Sequence, residues 1–225
     1  MKYINIAIDG PAGAGKSSVS KRIAKELSYI YLDTGALYRA IGIYALRNGA
    51  DTTSDKLITP LLKDISLTLK HVDGIQRIFL NGEDISEIIR KSDASMAASN
   101  VSAIPSVRAF LLDIQKNIAK ENNLIMDGRD IGTIILPHAQ IKIFLTATPE
   151  ERARRRYEEM TLKGQNVDYK VLLKEIKERD FNDSTREISP LKPADDAIIV
   201  DNTGFVFEQS VEALLGLIRS RLNDL

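Results

Sequence analysis

The 225-residue chain contains no cysteine and only two histidines. Without cysteine it can hold neither a disulfide framework nor a thiolate metal site, and a reducing interior is compatible with the sequence. His71 ends a predicted strand and His138 follows a proline in a predicted loop, so we expect surface or loop residues rather than catalysts. No cluster has metal-ligand spacing, and no Ser-His-Asp arrangement is evident.

The chain also lacks an excess of charge of either sign. Lys plus Arg and Asp plus Glu number 31 each, so the formal net charge is zero, which gives no support to a nucleic-acid or membrane-surface partner. No apolar run approaches the length of a membrane span, and the opening MKYINIAIDG is too short for a signal peptide. We expect a soluble, cytoplasmic protein that binds neither nucleic acid nor membrane.

Short apolar runs without polar alternation indicate strands that are buried on both faces, as in a parallel sheet covered by helices. Helical patterns lie between or after these runs, and this alternation predicts a doubly wound, five-stranded α/β core within a single domain of residues 1–225. The strand-like runs are Tyr3–Ile8, Tyr29–Leu32, Leu124–Met126, Ile141–Leu145 and Ala197–Val200. The helical patterns are Lys16–Leu27, Ala36–Arg47, Ser106–Lys120, Pro149–Lys163, Lys170–Asp183 and Phe207–Leu222.

One region departs from this alternation. Ile65–Lys70 alternates polar and apolar residues, Val72-Asp73-Gly74 supplies a turn, and Ile75–Leu80 continues as a second strand before the turn signal at Asn81-Gly82. The pattern predicts a small antiparallel β unit inserted into the α/β core, over residues 64–102.

The segment from Gly10 to Ser17, GPAGAGKS, fits the pattern G-x-x-x-x-G-K-[ST] and lies between a predicted strand and a predicted helix. Glycines let the backbone N–H groups turn toward phosphate oxygens, and the helix N-terminus adds positive potential. Lys16 can reach the β- and γ-phosphates, and Ser17 offers a hydroxyl to Mg²⁺. We predict that ATP phosphates bind Gly10, Pro11, Ala12, Gly13, Ala14, Gly15, Lys16, Ser17 and Ser18.

This loop alone does not distinguish a GTPase, an ATPase motor and a small-molecule kinase. A GTPase should carry an Asn-Lys-x-Asp guanine reader late in the chain, and the nearest match, Lys192 to Asp195, has the wrong spacing and follows Leu191. No Leu-Ser-Gly-Gly transporter signature is present. A kinase needs a second, arginine-rich pocket for the acceptor.

The segment LDTGALYR, from Leu32 to Arg39, follows the second predicted strand and opens a helix. Asp33 or Thr34 would make a good N-cap, so the segment could simply be a capped helix with a surface arginine. Alternatively, Arg39 could face the crevice at the carboxyl ends of the strands, where open α/β sheets bind ligands.

Four segments in this order, IDGPAGAGKSS, LDTGALYR, DGRDIGT and IKERDFNDSTR, resemble the bacterial cytidylate kinases, a family of nucleoside monophosphate kinases with a P-loop core. They span Ile8 to Arg186, nearly the whole chain. The resemblance implies Mg²⁺-assisted transfer of a phosphoryl group from ATP to CMP or dCMP. It also implies a monophosphate-binding role for the insertion, and it is compatible with a monomer.

The resemblance assigns roles to individual residues. Lys16 and Ser17 serve the triphosphate, and Arg152, Arg155 and Arg156 lie in a mobile lid over ATP, residues 150–167. The residues assigned to CMP are Thr34, Arg39, Ser99, Arg108, Arg129, Asp130, Arg179, Asp183 and Arg186. The residues assigned to catalysis are Lys16, Arg129, Arg186, Arg155 and Arg156.

The chemistry of cytosine agrees with part of this assignment. Asp130 can accept from the exocyclic amine, and Arg108 can donate to the ring acceptors. Uracil would place an acceptor against the Asp130 carboxylate. Because Arg129 and Asp130 are adjacent, one segment could serve both the phosphate and the base. Asp127, which precedes them, could instead be an acid linked to Mg²⁺.

Two further groups have an ordinary structural explanation. Arg179, Asp183 and Arg186 share one helix face if the helix continues that far, and such a face can be merely solvent-exposed and ion-paired. The arginines of ERARRR, Glu151–Arg156, can likewise be charged helix surface, whereas a lid needs arginines that close over phosphates.

Two rival functions stay open at this point. One is phosphorylation of another nucleoside monophosphate, UMP or AMP. The other is a P-loop regulatory or binding protein that hydrolyses or merely holds nucleotide, against which the second arginine-rich pocket argues.

Overall fold

The computed structural model describes residues 3–72, 75–90 and 92–224, without the side chains of His71, Val72, Ile75 and Ser92. The chain divides into two compact units. The first unit comprises Met1–Ile30 and Asn122–Leu225, and the second comprises Tyr31–Glu121. The turn predicted at Asp73-Gly74 lies outside the described residues.

The strands are β1 (Asn5–Asp9), β2 (Ile30–Asp33), β3 (Leu67–Val72), β4 (Ile75–Leu80), β5 (Glu83–Asp84), β6 (Leu124–Gly128), β7 (Ile141–Thr146) and β8 (Ile198–Asp201). The α-helices are α1 (Lys16–Leu27), α2 (Thr34–Arg47), α3 (Asp55–Ile58), α4 (Ser92–Val101), α5 (Pro105–Glu121), α6 (Pro149–Leu162), α7 (Tyr169–Thr185) and α8 (Phe207–Asn223). Two 3₁₀ segments, Thr59–Asp64 and Ile88–Arg90, and a π-helical turn at Ile131–Ile135 complete the described elements.

Five strands form a sheet in the order β2-β6-β1-β7-β8, which confirms the predicted α/β core. Strand β1 pairs in parallel with β6 on one side and β7 on the other. The chain passes from β1 toward the β2 edge and later from β7 toward the β8 edge, so the strand order reverses beside β1. Ligands of open α/β sheets bind at the carboxyl ends of strands where such a reversal occurs.

The burial of the strands follows their position in the sheet. All five residues of β6 are buried, as are four of the five residues of β1, because both strands have neighbours on each side. Strand β8 lies at an edge, and its residues alternate between half-buried and exposed. The sequence therefore predicted β8 correctly as a strand but wrongly as buried on both faces.

The second unit contains an antiparallel sheet in the order β3-β4-β5. Thr68 faces Phe79 in the β3–β4 register, which confirms the predicted hairpin. Helices α2 and α4 pack closely because Gly42 has no side chain, and a Cβ there would lie 2.8 Å from Cβ of Ala97. The predicted insertion, residues 64–102, falls inside this larger unit, and its role stays a prediction.

The long amphipathic helices agree with the sequence, since α1 begins and ends where the pattern placed it and α6 and α8 differ by one residue at an end. The pattern missed α3, β5, α4 and the π-helical turn, which are short or weakly amphipathic. None of the helices in the described part of the chain has an apolar stretch that could cross a bilayer.

Candidate nucleotide site

The phosphate-binding loop leaves β1 at Gly10 and enters α1 at Lys16. Gly10 has φ 146°, and a Cβ there would lie 1.9 Å from the carbonyl oxygen of Leu145, so no other residue fits without moving β7. Gly15 has φ 88° as the N-cap of α1. These left-handed positions curl the backbone into the cradle that the motif predicts.

Lys16 is buried, and its Nζ donates to the carbonyl oxygen of Pro11 over 2.7 Å. Burial lowers the pKa of Lys16 well below its ordinary 10.5, and the positive charges of Arg129 and Arg179 lower it further, against the attraction of Asp127 and Asp9. The loop lysine is thus within electrostatic range of the two arginines, and all three belong to the first unit.

The side chain of Ser17 contacts the neighbouring strand β6. Its Oγ donates to Oδ2 of Asp127 over 2.7 Å, at the carboxyl end of β6. Hydroxyl and carboxylate oxygens are the ligands that Mg²⁺ prefers. Among the described residues, no group of three or more His, Cys, Asp or Glu could hold a metal. The pair therefore suits an ion bound mainly through phosphates and water, either directly by Ser17 or with Asp127 behind it.

Asp9, the last residue of β1, is a site residue that the sequence interpretation did not single out. Its two carboxylate oxygens accept from the backbone N–H groups of Ile131 and Gly132 over 2.8 Å and 2.7 Å. Burial raises the pKa of Asp9 to about 7, the two backbone donors counteract this rise, and the negative charge of Asp130 adds to it. The only signal in the sequence was an acid immediately before the loop.

The predicted arginine cluster forms around Asp183. Arg129 Nε donates to Asp183 Oδ2 over 2.9 Å, and both side chains are largely buried. Burial alone would raise the pKa of Asp183, but the charges of Arg129, Arg179 and Arg186 outweigh it and hold the pKa below 3.8. Helix α7 ends at Thr185, yet Arg186 as the C-cap still acts on Asp183. The structure thus brings these four predicted residues together.

Asp130 lies 3% exposed at the start of the π-helical turn that follows β6. Its carbonyl oxygen accepts from Ile134 N and Ile135 N, over 3.0 Å and 3.2 Å. Strands β1 and β6 run in parallel, with Asp9 opposite Gly128. The π-helical turn and the phosphate-binding loop therefore both begin at the carboxyl ends of adjacent strands. The sequence could not predict the π-helical turn, since a single i→i+5 turn has no periodicity.

The three arginines assigned to the lid have different environments. Arg152 is buried, and it donates to the carbonyl oxygens of Ala12 and Ala147, each over 2.9 Å, and to both carboxylate oxygens of Asp180. Its side chain thus holds the phosphate-binding loop in this structure. The lid role, residues 150–167, stays a prediction.

Arg155 binds the loop after β8 instead, through contacts of its guanidinium with Asn202 O and Oδ1 over 2.7 Å and 3.3 Å. Arg156 is 42% exposed and donates to Glu159 over 3.2 Å. Among the three, Arg156 is the one whose side chain reaches farthest into solvent.

Asn202 is a second residue that the sequence interpretation missed. It is buried beside β8, and its Nδ2 donates to the carbonyl oxygen of Ala14 and to Oγ of Ser210, over 3.1 Å each. With Arg155 on its oxygen atoms, Asn202 connects α6 and α8 to the phosphate-binding loop. A single Asn after a strand carries no recognisable signal in sequence.

In the second unit, Asp33 caps α2 by accepting from Ala36 N over 3.1 Å, which decides between the two predicted caps. Its other carboxylate oxygen accepts from Arg39 over 2.6 Å. Thr34 is buried in the first turn of α2. Arg39 therefore has a fixed orientation on the helix, five residues after Thr34.

Of the three residues that the resemblance assigns to cytosine, Ser99 and Arg108 lie in the second unit, whereas Asp130 lies in the first. Arg108 of α5 donates to the carbonyl oxygen of Ser102 over 2.9 Å, and its guanidinium lies 5.6 Å from the centre of the Tyr38 ring. The carbonyl oxygen of Ser99 in α4 accepts from Ser102 Oγ over 2.8 Å. A stacked and hydrogen-bonded guanidinium is oriented before any ligand arrives.

Comparison with known proteins agrees with this geometry. The family model described as "Cytidylate kinase" matches residues 6–220. A cytidylate kinase of Caldicellulosiruptor bescii is 53% identical over 217 residues, which cover 96% of each chain. A cytidylate kinase of Carboxydothermus hydrogenoformans is 48% identical over 221 residues, which cover 98% of this chain and 99% of the other.

Among solved structures, an uncharacterized protein from Eubacterium ventriosum aligns with a TM-score of 0.51 at 16% identity, over 97% of this chain and 99% of that one. At that identity the likeness concerns the fold alone. The family model and the two relatives, by contrast, cover nearly the whole chain at high identity. The chain therefore belongs to the cytidylate kinase family and is a nucleoside monophosphate kinase.

Proposed function

We propose that this protein transfers the γ-phosphoryl group of ATP to CMP or dCMP, giving CDP or dCDP and ADP. The observation that carries the proposal is the arginine cluster around Asp183 in the same compact unit as Lys16 and near its charge. A protein that only held a triphosphate would have no use for a second group of cations. The family to which the chain belongs gives independent support and does not favour UMP or AMP.

Phosphoryl transfer requires in-line positioning and positive charge around the transferring group, with little covalent chemistry from the protein. In our proposal Lys16 and the backbone N–H groups of residues 10–18 bind the donor phosphates. Ser17 and Asp127 would hold Mg²⁺, which would neutralise charge on those phosphates. The pKa of Lys16 is lowered by burial and by neighbouring arginines, and a bound phosphate would raise it again, because a nearby anion favours the ammonium form.

Arg129 is the proposed clamp for the acceptor phosphate, because a guanidinium can make two parallel hydrogen bonds to phosphate. Asp183 accepts from its Nε over 2.9 Å and the carbonyl oxygen of Gly128 accepts from its Nη1 over 3.3 Å, so the guanidinium is oriented before a phosphate binds. Arg179, Asp183 and Arg186 are proposed to serve the acceptor phosphate and sugar. Asp130 is proposed to accept from the exocyclic amine of cytosine.

The remaining acceptor assignments are proposals for the second unit, residues 64–102 included. There Thr34 and Arg39 would serve the phosphate, while Ser99 and Arg108 would serve the base. The fixed orientations of Arg39 on Asp33 and of Arg108 on Tyr38 support these roles. Oriented side chains lose less conformational entropy when a ligand binds.

Arg155 and Arg156 are proposed to act on the transferring phosphate from the lid, as residues that close over it and exclude water. The exposure of Arg156 suits such a movement, whereas Arg155 would have to leave its contacts with Asn202. We further propose that the protein acts in the cytoplasm, where ATP and nucleoside monophosphates are available, and that it does so as a monomer.

A panel of acceptors tests the function. ADP release from ATP and Mg²⁺ would be measured with CMP, dCMP, UMP, AMP and no acceptor. We expect kcat/KM with CMP or dCMP to exceed that with UMP or AMP by at least about a hundredfold, because discrimination by hydrogen bonds to the base typically exceeds that factor. Without an acceptor we expect little ADP release.

Two results would contradict the proposal. A clear preference for UMP or AMP would show that the protein phosphorylates a different nucleoside monophosphate. ATP turnover that does not depend on any monophosphate would favour the P-loop regulatory or binding protein instead.

A further inference from the structure

The buried carboxylate of Asp9 has no part in the roles proposed so far. It is 4% exposed and is followed directly by Gly10, the first residue of the phosphate-binding loop. Burying an ionisable group is costly unless its environment supplies specific partners. Two backbone N–H groups supply such partners to Asp9.

Both partners of Asp9 belong to the turn that presents the proposed acceptor residues. Oδ1 accepts from Ile131 N over 2.8 Å, and Oδ2 accepts from Gly132 N over 2.7 Å. These are the first two N–H groups after Asp130, and the first N–H groups of a helical turn have no partner within the turn. One carboxylate thus fixes two consecutive peptide planes immediately after Arg129-Asp130.

The side chain of Lys142 also lies beside this turn. A Cβ on Gly132 would lie 3.2 Å from Cδ of Lys142 and 3.4 Å from Oδ2 of Asp9. Lys142 in turn is anchored by the carbonyl oxygen of Pro137 over 2.6 Å and by Asp196 over 2.9 Å. Gly132 therefore lies beside two anchored side chains, and a methyl group at this position would be crowded by both.

The charged neighbours of Asp9 belong to both proposed nucleotide sites, that of the acceptor and that of ATP. Asp130 repels the carboxylate of Asp9, and Lys16 attracts it. Asp9 is thus electrostatically linked to a residue proposed for the cytosine base and to the lysine proposed for ATP. Asp9 is the last residue of β1, which leads into the phosphate-binding loop. Its two hydrogen bonds therefore connect that strand to the turn at Ile131–Ile135.

We propose that Asp9 is a positioning residue for the acceptor: by accepting from Ile131 N and Gly132 N, it holds Arg129 and Asp130 in the orientation that binds CMP. The inference rests on the proposed function. Asp9 itself does not touch the reacting atoms, and its effect is transmitted through the backbone of residues 130–132.

The test is the Asp9→Asn variant. An Asn side chain keeps one acceptor, but its NH₂ group would face the second backbone N–H, donor against donor. We expect KM for CMP to rise about tenfold or more, KM for ATP to change less than about threefold, and the preference for CMP over UMP to fall by about tenfold, in line with one lost charge-assisted hydrogen bond.

A second variant, Gly132→Ala, leaves the Asp9 carboxylate intact and places a methyl group 3.4 Å from its Oδ2. It should raise KM for CMP in the same direction, by less, and it keeps the inference testable if Asp9→Asn fails to fold. The matched control is Asp51→Asn, since exposed Asp51 also accepts from a backbone N–H, that of Thr53 over 2.9 Å, and its loss should leave both KM values unchanged.

Wild-type activity on CMP separates the two possible failures. If the wild type prefers CMP while Asp9→Asn and Gly132→Ala raise KM for ATP as much as KM for CMP, or lower only kcat, Asp9 is merely structural and this inference is wrong. If the wild type does not phosphorylate CMP, the proposed function fails first.

Discussion

Two buried carboxylates of the first unit, Asp9 at the end of β1 and Asp183 in α7, have pKa values displaced in opposite directions, although both lie near arginine or lysine. Three arginines surround Asp183 and keep its pKa low, because the charges outweigh burial. Asp9 accepts hydrogen bonds from two backbone N–H groups, which lower its pKa. Burial outweighs them, the negative charge of Asp130 adds to the effect of burial, and the pKa of Asp9 rises to about 7. At this scale, the balance of charge against burial decides which acid stays ionised.

The raised pKa of Asp9 predicts a pH dependence of stability. Because the pKa in the folded state lies above the unfolded value of 3.8, the stabilising contribution is complete below 3.8 and is lost as the pH rises through about 7. Between these values the contribution of Asp9 to the free energy of unfolding should fall with a slope of up to about 1.4 kcal/mol per pH unit.

The measurement is urea unfolding of the wild type and Asp9→Asn at several pH values from about 5 to 8. Subtracting the variant removes the titration of the other groups. The difference in unfolding free energy, wild type minus variant, should decline as the pH rises. A difference that is flat or that increases with pH would show that Asp9 is ionised throughout.

At the scale of elements, Arg152 is a connector rather than a surface charge. From α6 it reaches the phosphate-binding loop at Ala12, the end of β7 at Ala147 and α7 at Asp180. Three elements and one loop therefore share a single buried guanidinium. Removing one partner of such a group leaves the others with unmatched buried polar atoms.

Replacing Arg152 with Met should therefore lower the free energy of unfolding by about 2–4 kcal/mol. The matched control is Arg156→Met on the same helix, where the exposed contact with Glu159 contributes at most about 0.5 kcal/mol. Urea unfolding at one pH measures both. Equal, small effects of the two substitutions would contradict the connecting role of Arg152.

At the scale of the whole molecule, net charge is zero, so attraction of anionic nucleotides has to come from local groups such as Lys16 and the arginines around Asp183. Like charges held close together repel one another, and the lowered pKa of Lys16 reflects part of that repulsion. A bound phosphate would relieve it. Nucleotide binding should accordingly stabilise the folded protein.

CMP at about a hundred times its dissociation constant should raise the free energy of unfolding by about 2.7 kcal/mol, whereas UMP at the same concentration should stabilise much less. Thermal unfolding with and without each nucleotide measures this independently of turnover. Asp130→Ala should lose the CMP effect and keep the ATP effect. Equal stabilisation by UMP and CMP in the wild type would contradict the role of Asp130.

The sequence predicted the elements with strong periodicity and the residues with recognisable motifs. Helix α1 and the loop before it follow from G-x-x-x-x-G-K-S, since that motif requires a strand before it and a helix after it. The cluster of Arg129, Arg179, Asp183 and Arg186 followed from the family resemblance, because segments far apart in the chain carry no direct sign of proximity. Asp9 and Asn202 were missed, as a single polar residue at a strand end has no distinctive pattern.

The sequence by itself determined the α/β class, the phosphate-binding loop and the family, because periodicity and motif spacing are local properties that survive without coordinates. Only the tertiary structure decided that Arg152 is buried, that β8 is a half-exposed edge strand, and that Asp9 holds the turn after Asp130. These outcomes depend on the parallel register of β1 with β6 and on the strand order, which place residues more than a hundred positions apart within hydrogen-bonding distance.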